Sequence, residues 1–144
     1  MSEIRITKPT FKKTEAEWFN YHRTVKEIKL LEDAIMHPYE EEPEDPTIIK
    51  GETSVTTPGD PTAITAVRLT RHKQLNYLRE IASAIETVYN ELPDDHKKLV
   101  HVRYWSNKNL DWEAIAAKVG YSRRTVIRWR DSIILATIEV LGWR

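Results

Sequence analysis

Two small residues constrain the C-terminal part of this chain more strongly than any other feature. Ala116 and Gly120 stand four residues apart, where two helices can cross closely and where a turn can adopt positive φ without a Cβ penalty. Apolar residues that must face inward surround this pair: Ile115, Val119, Val126 and Trp129. A bare helical hairpin would not require Ala and Gly at these offsets. The pattern therefore predicts a helix-turn-helix from Trp112 to about Arg130.

Capping signals give the limits of the helices in this region. Asp111 is a good cap for a helix that Gly120 stops, and Ser122 caps a last helix that runs to about Leu141. Upstream, residues 92–95 end the preceding helix and provide the N-cap of a short helix, which ends at about Ser106. Residues 92–144 are thus predicted to form one helix-turn-helix unit.

The exposed face of the last helix follows from its inward face. If Val126, Trp129 and Ile133 point inward, the free face and N-terminal end carry Arg123, Arg124, Thr125, Ile127 and Arg128. In helix-turn-helix motifs this end enters the DNA major groove. Arginine can bind guanine O6 and N7 together, and the methyl groups of Thr125 and Ile127 can contact a thymine methyl. We expect Arg123, Arg124 and Arg128 to read bases.

Other basic residues are predicted to hold DNA phosphates, which fix register and supply affinity without reading sequence. These residues are Arg130, Lys97, Lys98, Lys108 and Lys118. The backbone amides after the cap residue Ser122 offer a further phosphate site. Double-stranded DNA is the expected partner.

The N-terminal part is predicted to contain one helix, within residues 1–37. Apolar residues recur at three- and four-residue steps from Thr14 to His37, and Thr14 with Glu17 forms a plausible capping box. Pro38 ends this pattern. Residues 38–60 are rich in proline and acids, so we expect an acidic linker there.

A long helix is predicted over residues 61–91, because Asp60-Pro61 is a favourable helix start and an apolar stripe runs to about Asn90. At 1.5 Å per residue such a helix is about 40 Å long, and its stripe needs cover. The first helix can fold back as an antiparallel hairpin, or a second copy can form a coiled coil. We expect a homo-oligomer, with a dimer favoured, through helices 14–37 and 61–91. The expected fold is all-α.

Charge and composition limit the classes of function. The net charge is zero, but residues 1–60 hold 8 Lys and Arg and 13 Asp and Glu, whereas residues 61–144 hold 14 and 9. The chain has no cysteine and its five histidines are scattered, so no metal site and no cofactor are expected. No nucleophile stands beside a base, which argues against an enzyme. The absence of a long apolar run or signal segment predicts a cytoplasmic protein without membrane contact.

The C-terminal part resembles region four of bacterial sigma factors, where a helix-turn-helix reads a promoter element. The resemblance rests on the motifs Leu92-Pro93, Val102-Arg103-Tyr104, Asp111-Trp112-Glu113-Ala114-Ile115-Ala116, Gly120-Tyr121-Ser122-Arg123 and Val126. The wider layout, with Gly59-Asp60-Pro61-Thr62 leading into a helix that carries Arg68-Leu69, is similar to the RinA and ArpU group of phage transcriptional regulators. That group is linked to control of late phage genes.

The resemblance implies a sequence-specific regulator of phage or prophage late genes. Activation of transcription would also require contact with the host RNA polymerase, which is a further expected partner. The alternative is a small terminase subunit, which recognises phage DNA for packaging and assembles into a ring. In such subunits the DNA-binding unit usually comes first, and here it comes last.

Overall fold

The computed structural model describes residues 6–37 and 61–144, and these residues form six α-helices and no strand. The predicted all-α fold is confirmed. The predicted linker at 38–60 lies outside the described residues. Within the described helices, no stretch combines the length and the apolar character that crossing a membrane requires.

The first helix, α1, spans Lys8–Phe19 and begins earlier than predicted. Thr7 is its N-cap, and its side chain accepts a hydrogen bond from the backbone N–H of Thr10. Pro9 lies in the first turn, where a missing N–H costs nothing. Thr14, which we expected at the helix start, is buried inside the helix and donates its hydroxyl to the carbonyl of Thr10. The predicted capping box is therefore wrong.

A second helix, α2, spans Tyr21–Met36, so the single helix predicted over 14–37 is divided. The division lies at Asn20, the C-cap of α1, whose backbone N–H bonds to the carbonyls of Ala16 and Trp18. The next helix, α3, spans Pro61–Asn90 and confirms the predicted limits.

Three shorter elements complete the chain: α4 at Asp94–Arg103, α5 at Trp112–Val119 and α6 at Arg123–Leu141. Pro93 is the N-cap of α4 without a side-chain bond, and Asp94 and Asp95 lie in the first turn, where the helix dipole favours carboxylates. The predicted side-chain cap at this helix is thus not formed, and α4 ends three residues before the predicted Ser106.

The described residues divide into two compact units. One combines the chain up to His22 with Glu80–Arg144, and the other is Arg23–Arg79. This division differs from the predicted one. We expected residues 92–144 to be a unit by themselves, but α1 and the C-terminal part of α3 share their core.

The core of the first unit joins residues from both ends of the chain. Trp18 is fully buried, and its indole N–H donates to the Thr137 hydroxyl at 3.0 Å. Ile81, Ile85 and Val88 of α3 are buried in this same core. These three residues belong to the stripe that we expected to mediate self-association, so that part of the stripe is covered within one chain.

The second unit contains the rest of α2 and the first part of α3. Arg79 and Glu32 form an ion pair at 2.6 Å between the two helices. Among the described residues of this unit, Thr24 and Leu75 are the buried ones.

Candidate nucleic-acid interface

The turn between α5 and α6 consists of Gly120, Tyr121 and Ser122. Gly120 has a φ of 91°, the left-handed conformation that favours glycine. The backbone N–H groups of Gly120 and Tyr121 both bond to the carbonyl of Ala116, at 2.8 and 3.3 Å. The turn therefore closes α5 with the geometry of a glycine cap, at the residue that the sequence predicted.

Caps at both helices of this pair agree with the prediction. The Asp111 carboxylate accepts a hydrogen bond from the N–H of Ala114 at 2.9 Å. The Ser122 hydroxyl accepts from the N–H of Thr125 at 3.2 Å and donates to the Thr125 hydroxyl. Each cap satisfies an amide that the helix start would otherwise leave without a partner.

The inward face of the pair is formed largely as predicted. Ile115, Val119, Val126 and Ile133 are buried. Trp129 is only half-buried and packs on the outside of this core. Its ring stacks on His96 with centroids 4.1 Å apart and contacts the ring of Tyr121 at 4.6 Å.

These aromatic contacts attach the turn to α4. The Tyr121 hydroxyl donates to the Asp95 carboxylate at 2.6 Å, and this hydrogen bond and the charge of Asp95 raise the pKa of Tyr121. Burial lowers the pKa of His96, and the charge of Asp95 opposes that effect in part. The Nδ1 atom of His96 is buried without a hydrogen-bond partner, which is consistent with a neutral ring.

Three arginines of α6 are exposed, as predicted: Arg123, Arg124 and Arg128. No acid among the described residues forms an ion pair with any of them. Thr125 and Ile127 are half-buried between them, and Ser122 is exposed. The N-terminal half of α6 thus presents a strongly basic surface.

Arg130 differs from its neighbours, and this overturns its assignment to a phosphate contact. Its side chain is 17% exposed and pairs with Glu15 at 3.0 Å and with Asp131 at 2.7 Å. Its guanidinium is therefore engaged within the protein. Arg130 is therefore not expected to contact DNA phosphates.

Glu15 is the centre of this network and was not singled out from the sequence. A single carboxylate oxygen accepts hydrogen bonds from Arg103, Tyr104 and Arg130, at 2.7 to 3.0 Å. Burial raises the pKa of Glu15, but the Tyr104 hydrogen bond and the two arginines outweigh burial and lower it overall. The guanidinium carbons of Arg103 and Arg130 also lie 4.2 and 5.0 Å from the ring centroid of Trp112. One side chain of α1 thus connects α4 with α6.

The four predicted phosphate-binding lysines do not share one environment. Lys98, Lys108 and Lys118 are exposed, and Lys108 and Lys118 line the same hollow between α4 and α5. Lys97 is half-buried, with its ammonium 5.2 Å from the ring centroid of Tyr89. Among residues 6–37 and 61–144, no three His, Asp or Glu side chains are grouped as a metal site would require.

Together, the fold and this surface define an all-α chain with a capped helix pair and an exposed basic helix face. The chain belongs to the family described as "Protein of unknown function (DUF722)", whose model matches residues 17–138. No curated protein and no solved structure matches the chain. Because the matched segment runs from α1 into α6, the family model includes parts of both compact units.

Proposed function

We propose that this protein binds double-stranded DNA in a sequence-specific manner through the N-terminal half of α6. The observation that carries the proposal is the separation of the arginines into two groups. Arg103 and Arg130 are held by Glu15, whereas Arg123, Arg124 and Arg128 are exposed and unpaired among the described residues. Three unpaired guanidinium groups on one helix end form a positively charged surface of the kind that binds DNA.

The geometry of the helix pair supports insertion of α6 into a groove. Gly120 closes the turn tightly, and the contacts of Tyr121 and Trp129 attach α6 to α4. A rigidly held helix can place arginines against base edges without being ordered by DNA binding itself. Only the arginine side chains then lose conformational freedom on binding. Arg123, Arg124 and Arg128 read bases in this proposal. The phosphates are held by Lys97, Lys98, Lys108 and Lys118.

The resemblance to sigma region four and to the RinA and ArpU group extends the proposal to transcription. On that basis the protein is a regulator of phage or prophage late genes, acts in the cytoplasm of the host and contacts the host RNA polymerase when it activates. It performs no catalysis in this proposal.

Selection of bound fragments from a random DNA pool, followed by sequencing, tests the proposal and yields the binding site. Affinity is then measured on the selected duplex and on a scrambled duplex. Arg124→Ala and Arg128→Ala should each lose about 1–3 kcal/mol on the selected duplex and less on the scrambled one. Arg23→Ala removes an exposed arginine outside this surface and should change neither affinity.

Two results would count against the proposal at different levels. Equal losses on both duplexes would contradict base reading and leave α6 with a phosphate-binding role. A wild-type protein that enriches no sequence and binds no duplex at low salt would contradict DNA binding itself.

A further inference from the structure

A histidine of α4, His96, packs flat against an aromatic ring of α6. It is the third residue of α4, and its imidazole stacks on the indole of Trp129 with centroids 4.1 Å apart and an interplanar angle of 20°. The ring of Tyr121, in the turn before α6, contacts the same indole with centroids 4.6 Å apart. Trp129 is therefore in contact with one ring from α4 and one ring from the turn.

A hydrogen bond also joins α4 to the turn. The hydroxyl of Tyr121 donates to the carboxylate of Asp95 at 2.6 Å. Asp95 and His96 are adjacent residues in the first turn of α4. Two neighbouring side chains of α4 thus attach it to the turn and to α6, one by a hydrogen bond and one by a ring stack.

The stacked ring of His96 fits its packing in the neutral form. Its Nδ1 atom is buried and has no hydrogen-bond partner among the described residues. One nitrogen of a neutral imidazole carries no proton, so an Nδ1 atom in that state has no hydrogen to donate. Protonation would place an N–H group and a positive charge at this atom. A buried, charged donor without an acceptor is costly, so the imidazolium does not fit this site.

The groups that contact His96 act on its charge in both directions. The Asp95 carboxylate and the face of the Trp129 ring attract a positive imidazolium. Burial opposes the charge, and so does the positive end of the helix dipole, because His96 lies in the first turn of α4. Burial is larger than the effect of Asp95, so the pKa of His96 is lowered from 6.5.

Asp95 is the charged group that acts on the pKa of His96. From α6 the contact is the uncharged ring of Trp129, and from the turn the neighbouring titratable group is the Tyr121 phenol. The hydrogen bond to Asp95 raises the pKa of Tyr121, so this phenol stays protonated near neutral pH. Of the three side chains around Trp129 and the turn, His96 is thus the one that changes charge between about pH 5 and pH 8.

We propose that His96 is a positioning residue for the N-terminal half of α6, and that only its neutral ring performs this role. When the ring is protonated, its stack on Trp129 loosens, and the turn is attached to α4 by the hydrogen bond between Asp95 and Tyr121 alone. The helix end with the exposed arginines is then held less firmly. The pH-dependent attachment stands on contacts within the protein, whereas its effect on DNA rests on the proposed function.

The pH dependence of stability tests the attachment without DNA. Because the folded state favours the neutral ring of His96, the stabilisation from this ring is present above the unfolded pKa of 6.5. It is lost as the pH falls from there through the lower pKa of the folded state. The folding equilibrium constant of the wild type should therefore fall, relative to His96→Phe, by up to about tenfold per pH unit. Urea denaturation from about pH 7.5 to about pH 5.5 measures this change.

Two variants and one control belong to this measurement. Phenylalanine can stack on Trp129 but cannot be protonated, so His96→Phe should not show the loss. His96→Gln is also uncharged throughout this range, and it provides the comparison if the phenylalanine variant does not fold. His72→Phe removes an exposed histidine of α3 and should lose stability on acidification as the wild type does.

NMR spectroscopy follows the stack itself in the wild-type protein. The imidazole of His96 is titrated together with the indole N–H of Trp129, whose signal is assigned among the five tryptophans with Trp129→Phe. We expect a His96 midpoint below 6.5 and a change of the Trp129 signal with the same midpoint. In His96→Phe the Trp129 signal should not change in this range.

DNA affinity has an expected sign that charge alone does not give. A protonated histidine adds a positive charge, so charge alone would tighten binding to a duplex as the pH falls. Loosening of α6 predicts the opposite, which is several-fold weaker binding of the wild type at about pH 5.5 than at about pH 7.5 at fixed salt concentration. His96→Phe should not bind more weakly at the lower pH.

Three outcomes would overturn the pH-dependent attachment: a His96 midpoint at or above 6.5, a Trp129 signal that does not follow His96, or a wild type that loses no more stability than the two uncharged variants. A protein that passes these tests but binds no duplex would contradict DNA binding and leave the attachment in place. A protein that binds the duplex with the same pH dependence as His96→Phe would overturn the positioning role and leave DNA binding in place.

Discussion

The carboxylate of Glu15 on α1 lies 3.0 Å from the guanidinium of Arg130 on α6, although 115 residues separate them in the chain. The same carboxylate oxygen binds Arg103 and Tyr104 of the α4 region. The helix that carries the proposed base-reading arginines is therefore held in place by the first helix of the chain.

Removal of the Glu15 charge should destabilise the protein. Glu15→Gln leaves Arg103 and Arg130 without their carboxylate, and loss of one partner from a largely buried charge network costs roughly 3 kcal/mol. Urea denaturation measures this loss. Glu139→Gln on the exposed face of α6 is the control and should have little effect. Equal losses for the two variants would contradict a special role for Glu15.

The effect of Glu15 should depend on pH with a definite sign. Its pKa in the folded protein is lowered from 4.5, so the folded state binds this proton less readily than the unfolded state. The stabilisation from Glu15 is fully present above the pKa of the unfolded state. It is lost as the pH falls through the lower pKa of the folded state. The stability difference between wild type and Glu15→Gln should therefore shrink below pH 4.5.

Arg128 and Arg130, two residues apart on α6, should respond differently to alanine substitution. Arg128→Ala removes an exposed side chain and should leave stability within about 0.5 kcal/mol of wild type while it weakens DNA binding. Arg130→Ala breaks the pairs with Glu15 and Asp131 and should lower stability. Denaturation and DNA affinity are measured on both proteins. A stable Arg130→Ala protein with lost DNA affinity would restore Arg130 as a DNA contact.

A fragment that starts at Leu92 should not fold cooperatively. It lacks Trp18, which is buried in the core, and the part of α3 that contains Ile81, Ile85 and Val88. Thermal denaturation followed by circular dichroism should show a broad, non-cooperative change for the fragment. In the full chain, Trp18→Ala should cost about 3–5 kcal/mol. A sharp transition for the fragment would show that α1 is dispensable.

Substitution of Gly120 tests the turn without a steric clash. A Cβ at this position would have no other atom within 4 Å, so the cost comes from the φ of 91° alone. Gly120→Ala should cost about 1–2 kcal/mol, and Gly120→Asn should cost less because asparagine tolerates the left-handed region. Equal stability of the alanine and wild-type proteins would mean that the turn adopts another conformation.

The salt dependence of DNA binding should be moderate. Because Arg130 is paired within the protein, four of the five predicted phosphate contacts remain: Lys97, Lys98, Lys108 and Lys118. A plot of log K against the logarithm of the salt concentration should therefore have a slope of roughly −4. Lys108→Gln together with Lys118→Gln should reduce the slope by about 2. An affinity that is insensitive to salt would remove the electrostatic part of the proposal.

Features governed by neighbours in the chain were predictable from the sequence. The limits of α3, the caps Asp111 and Ser122 and the turn at Gly120 each depend on residues within a few positions. The start of α1 was missed because Thr7 with Pro9 and Thr14 with Glu17 are competing local signals. The buried position of Thr14 is decided by packing in the folded chain and not by its neighbours.

Features governed by distant contacts were not predictable. Arg103, Arg128 and Arg130 have identical side chains, and the pairing of Arg103 and Arg130 with Glu15 depends on where α1 packs. Trp18 was recognised as part of an apolar face, but no pattern along α1 indicates that its partner is Thr137. For the same reason the sequence did not indicate that α1 shares a core with α6.

The hydrogen bond between Trp18 and Thr137 joins residues 119 positions apart, and this has a consequence for synthesis of the protein. On the ribosome, α1 emerges before its core partners on α6 are translated. Until then Trp18 and the other apolar residues of α1 are open to chaperones and proteases. A chain that ends before α6 would leave Trp18 without its core partners and be degraded. We therefore expect only chains that include α6 to accumulate in the cell.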